Sequence, residues 1–184
     1  QDSDATTLVC QDILYDNVMN KFVWGGANDE RANIDYHHKR TLIVIRARLN
    51  HARLAKALAA EGRNELAVNV LDRCMDMLPL ERIPYDPYVP DIIESYFEAG
   101  EKEKAASMTR DLCDYYFSQL DYFYEQTPYV MSSAEYEVQT AIQYTYRVAG
   151  ACEKYGMQEL ADEINDRVQQ YYGRYIQIRE PVTR

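Results

Sequence analysis

Three short segments of this chain carry one signature. Gly62-Arg-Asn-Glu65-Leu-Ala67, Gly100-Glu-Lys-Glu103-Lys-Ala105 and Gly156-Met-Gln-Glu159-Leu-Ala161 all read Gly-x-x-Glu-x-Ala. A glycine ends a helix well because it enters the left-handed conformation without a Cβ penalty. The glutamate then falls in the first turn of the next helix, where the macrodipole favours negative charge. The alanine lets the paired helix approach closely. The pattern predicts three antiparallel helix pairs, turning at Gly62, Gly100 and Gly156.

The pair around Gly62, from Arg40 to Pro79, is the most regular. Leu42, Ile45, Leu49, Ala52 and Ala59 recur at helical steps and share one face. Leu54 and Leu58 widen it, as in a helix buried on more than one side. Arg46, Arg48, Arg53 and Lys56 fall between the apolar positions. Beyond Gly62 the inner face is Leu66, Ala67, Val70, Leu71, Cys74 and Met75, and Pro79 and Pro84 forbid continuation. Large and small apolar residues at these offsets, with a closing proline, resemble a tetratricopeptide-type repeat. Leu54, Ala55 and Leu58 fill the first-helix positions, and Ala67, Leu71, Cys74 and Pro79 the second. His51 stands where the usual aromatic would. The glycine intervals exceed the ~34 residues of that repeat, which fits a proline-rich linker and lengthened helices.

The rest of the chain is read around these turns. Residues 1–9 are polar and read as frayed. Ile13, Leu14, Val18, Met19 and Phe22 form a short amphipathic helix from about Cys10, broken at Trp24-Gly25-Gly26, with a polar loop from Ala27 to Asn33. A repeat array needs its outermost apolar face covered, so Met19, Phe22 and Trp24 are expected to cap the first repeat. Pro79–Pro90 reads as a rigid extended connection. Helices follow from about Pro90 to Gly100 and from Glu103 to about Tyr124. Pro128 interrupts, and Ser132 or Ser133 caps a helix that runs to Gly156. The last helix covers Glu159 to about Tyr172.

A hydrophobic content of 47% excludes a disordered chain, and the formal charge of −10 argues against nucleic acid. No apolar run reaches the ~20 residues of a membrane span. The chain starts at Gln1 rather than Met and reads as a piece of a longer protein. Its four cysteines lack CxxC spacing, so Cys74, Cys113 and Cys152 read as buried thiols. Nothing carries catalysis. Serines lack a GxSxG setting, no glycine-rich phosphate loop occurs, and the acids between Glu81 and Glu137 read as a solvated surface rather than glycosidase carboxylates. His37-His38 with Asp35 reads as a helix start rather than a metal site, and His51 as packed or hydrogen-bonded. The 17 tyrosines concentrate after Tyr85. Tyr122, Tyr124, Tyr144, Tyr146 and Tyr155 read first as packing residues and second as rings that could stack on a sugar or peptide.

The run Tyr15-Asp16-Asn17-Val18-Met19-Asn20-Lys21-Phe22-Val23-Trp24-Gly25-Gly26, with Leu71-Asp72-Arg73-Cys74-Met75 and Pro84-Tyr85, resembles the soluble C-terminal region of a family of Bacteroidetes multi-pass membrane proteins. That family is of unknown function and is similar to protein O-mannosyltransferases. The likeness covers most of the chain, strongest from Tyr15 to Tyr85. It implies a parent with a glycosyltransferase-like membrane portion, which holds any catalytic residues, and it implies a periplasmic location for this region.

The expectation is therefore an all-α, tetratricopeptide-like superhelix of about three helix pairs. It has a capping segment over 1–35, a repeat domain over 36–172 and a tail over 173–184. The candidate groove is Arg53, Lys56, Asp91, Glu94, Phe97, Tyr146 and Arg147. Aligning the turn glycines sets Arg53 opposite Asp91 and Lys56 opposite Glu94. No catalytic residue, cofactor or metal is expected. The expected partner is a protein or the parent's membrane portion, and the alternative is a glycan or peptide.

Overall fold

The computed structural model describes residues 10–23, 26–35 and 47–179. Their regular secondary structure is helical, with no strand among them. The chain divides into two compact units, Gln1–Glu101 and Lys102–Arg184, so the border falls inside the 36–172 stretch. The first unit holds α1 (Gln11–Asp16), which continues as a π-helical turn over Asn17–Lys21, then α2 (Leu49–Ala60), α3 (Asn64–Met77) and α4 (Val89–Glu98). The second holds α5 (Lys102–Tyr124), α6 (Pro128–Ser133), α7 (Glu135–Lys154) and α8 (Gln158–Arg179). Helices α2 and α3 form a hairpin, and α4 packs against both. In the second unit α7 packs against α8 and α5, with α6 beside α5 and α7.

All three signature glycines lie at helix ends with positive φ, at 75°, 94° and 79° for Gly62, Gly100 and Gly156. Their hydrogen bonds are superimposable. Gly62 N–H donates to Ala59 O and Arg63 N–H to Leu58 O; Gly100 and Glu101 repeat this to Phe97 and Tyr96, and Gly156 and Met157 to Glu153 and Cys152. Each is a Schellman closure, which satisfies the last helical carbonyls. Glu65, Glu103 and Glu159 sit in the first turns that follow. Ala67, Ala105 and Ala161 are fully buried. The core of the first unit is Leu54, Ala55 and Leu58 against Ala67, Val70, Leu71 and Cys74, with Ile92, Ile93 and Tyr96 added from α4. The second is built on Leu112, Phe117, Leu120, Val138, Val148 and Val168.

The stretch after Pro79 is not extended. Arg82 and Ile83 N–H both bond back to Pro79 O at 3.1 and 2.9 Å, and Leu78 and Ile83 are buried. The cause is Arg48, which is wholly buried rather than on a polar face. Its Nη2 donates to Leu78 O at 2.9 Å and Ile83 O at 2.7 Å. Its Nη1 donates to Pro84 O at 3.1 Å and to the Asp86 carboxylate. A buried cation must be surrounded by acceptors, and the loop curls to supply them. Asp86 in turn accepts from Tyr88 N–H at 2.7 Å, at the entry to α4.

Three other expectations are corrected. The N-terminal helix touches α2 and α3, but its buried anchor is Val18; Phe22 is 41% exposed, Met19 is half-buried, and Trp24 lies outside the described residues. Polar contacts add to the attachment: Gln11 Nε2 donates to Glu61 Oε1 at 2.8 Å and Arg63 Nη2 to Asp12 Oδ1 at 2.7 Å. Ser132 and Ser133 do not cap α7, because both hydroxyls donate back to Tyr129 O inside α6. Helix α8 continues through Gly173 to Arg179. A mid-helix glycine costs only about 1 kcal/mol, and Arg174 and Tyr175 beyond it make contacts with α5 and α7. The reading of residues 1–9, the helix start from Tyr36 to Arg46 and residues 180–184 lie outside the described residues.

Three substitutions test this account. A Cβ on Gly62 meets nothing within 4 Å, so Gly62→Ala reports the backbone term alone and is expected to destabilise by about 1 kcal/mol in urea unfolding. Arg48→Met is expected to cost roughly 3–5 kcal/mol, and adding Asp86→Leu to recover part of that loss by removing the stranded carboxylate. A double variant no more stable than the single one contradicts the pairing.

Candidate functional site

Of the groove residues read from sequence, Lys56, Asp91 and Glu94 come together on the α2–α4 face. Lys56 Nζ lies 3.0 Å from Glu94 Oε2 and 4.0 Å from Asp91 Oδ1, so one lysine serves both carboxylates. Arg53 is exposed, and no ion pair joins it to Asp91 among the described residues. Phe97 does not line a surface: it is 2% exposed, in the core of its unit. Ser95, the residue after Glu94, is buried and donates to Asp91 O at 2.6 Å, with Ala52 O of α2 at 3.4 Å. This small residue lets α4 sit close to α2 and brings Glu94 to Lys56.

Tyr146 and Arg147 belong to α7 in the second unit. Arg147 is half-buried, and the Tyr146 ring is 38% exposed with its hydroxyl bonded to the Gln169 side chain. Around them the tyrosines divide as their surroundings dictate. Tyr116 meets Tyr144 edge-on at 5.7 Å. Tyr171 of α8 stacks with both Phe117 and Tyr124 of α5, at 5.3 and 6.0 Å between centroids. Arg167 lies over Phe117 at 4.1 Å and Arg174 over Tyr124 at 4.5 Å. The hydroxyls are also used: Tyr171 donates to Asp121 at 2.7 Å and Tyr124 to Tyr171 O at 2.8 Å. Such pairs contribute about 0.5–1.5 kcal/mol each beyond area burial. Packing therefore accounts for Tyr116, Tyr124, Tyr144 and Tyr171. Tyr122, Tyr129, Tyr136 and Tyr172 are exposed at 58, 79, 65 and 44%.

The α5–α8 seam is a constellation the sequence reading passed over. Its signal was present: Phe117, Asp121 and Tyr124 on α5 and Arg167, Tyr171 and Arg174 on α8 have the same spacing, which places each set on one helix face.

Burial dominates the titratable groups inside the units. Burial pushes the thiols of Cys74 and Cys113 up to about 12 and raises that of Cys152. All three are buried and reduced, and none is poised as a nucleophile. Burial also raises the Tyr96 hydroxyl, which donates to Asp72 Oδ1 at 2.6 Å. The described residues include no cluster of three or more His, Cys, Asp or Glu side chains able to hold a metal ion, and His37-His38 lies outside them. His51 is buried, with its Nδ1 2.7 Å from Ala47 O. Burial holds its imidazole below the ordinary value of 6.5, and the nearby Arg73 charge acts in the same direction.

This depression fixes a sign. The unfolded chain takes up the His51 proton before the native state does, so stability is present above pH 6.5 and is lost as pH falls through the depressed native value. Urea unfolding at about pH 7.5 and about pH 5 is expected to show a loss that His51→Gln reduces. An identical loss in the variant would overturn the assignment. Compared with protein-family models, curated proteins and solved structures, the chain matches none.

Proposed function

We propose that the chain is a noncatalytic, tetratricopeptide-like helical-repeat domain that mediates protein–protein contacts. The observation that carries this reading is the recurrence of one closure, with the same hydrogen bonds and a buried alanine, at Gly62, Gly100 and Gly156. The packing of α4 against both helices of the preceding hairpin adds to it, because stacking of each helix on the previous pair is how such arrays bury their faces. The resemblance to the C-terminal region of glycosyltransferase-like membrane proteins extends the proposal. The domain would support such a membrane portion from the periplasmic side, as part of a larger protein. No described helix is long and apolar enough to cross a membrane. Co-purification of the separately expressed domain with the membrane portion of its parent chain tests this, with binding expected and persistent separation overturning it.

A second reading is favoured by one observation, the exposed rings of Tyr122, Tyr129, Tyr136, Tyr146 and Tyr172. Flat aromatic faces suit sugars and extended peptides. A glycan array discriminates: saturable binding lost in Tyr146→Ala and Tyr172→Ala supports this alternative.

The α2–α4 face is expected not to clamp acidic peptide C-termini. Lys56 already faces Glu94 and Asp91, so its charge is neutralised and Arg53 alone is left to meet a carboxylate. The pair itself adds only ~0–1 kcal/mol to stability. Calorimetric titration with an acidic-tailed peptide is expected to give no heat of binding. Micromolar affinity abolished by Arg53→Ala and Lys56→Ala would reverse this conclusion.

A further inference from the structure

We draw no further inference here: the strongest candidate, the strip of partly exposed Tyr146, Tyr172 and Ile176 along the α7–α8 hairpin, is an unpartnered apolar face, and nothing in the structure shows what covers it.

Discussion

The buried guanidinium of Arg48 is the constraint on which the first unit depends. Four acceptors from residues 78–86 converge on it, and three of them are backbone carbonyls. A segment with two prolines would otherwise have little reason to hold one conformation. Burying an ion costs several kcal/mol unless its donors are matched, so the loop path is dictated by donor geometry more than by its own propensities. Helix α4 starts where that loop ends, and its position opposite α2 sets the Lys56–Glu94 contact. The apolar core fills the space so defined.

The second unit reaches the same end by other chemistry. Its α5–α8 seam is held by rings and guanidinium planes rather than by a buried ion. Arg167 and Arg174 keep their charge near solvent while their planar faces cover aromatic surface, which avoids the desolvation cost of a buried charge. Hydroxyls at the ring edges bond to Asp121 and to backbone, so the tyrosines leave little polar surface unmet.

Much of this was legible in the sequence. Glycine conformation, first-turn acids and alanine contacts are local effects, and local effects survive in a linear pattern. That is why the three turns and the buried faces of α2 and α3 could be read directly. Arg48 could not be read by the same means, because a long basic side chain among apolar residues looks solvated and its acceptors are mostly featureless carbonyls. Yet Arg48 and Asp86 stand 38 residues apart, the separation that joins Lys56 to Glu94. The register that found the second pair would have found the first. Phe97 was misplaced for a related reason: periodicity says that a residue is apolar, not which of two packed neighbours hides it. The serines before α7 failed because their hydroxyls had closer acceptors in their own turn.

The shared glycine closure has a consequence for how such a chain tolerates change in length. A left-handed residue ends one helical phase outright, and the next helix begins with a phase of its own. Residues gained or lost before a closure therefore do not rotate the faces that follow it. The folded loop from Leu78 to Tyr88 and the short α6 turn both intervene between helices, and the buried alanine after each glycine is still in place. Spacing between turns is free to drift while the geometry at each turn stays fixed.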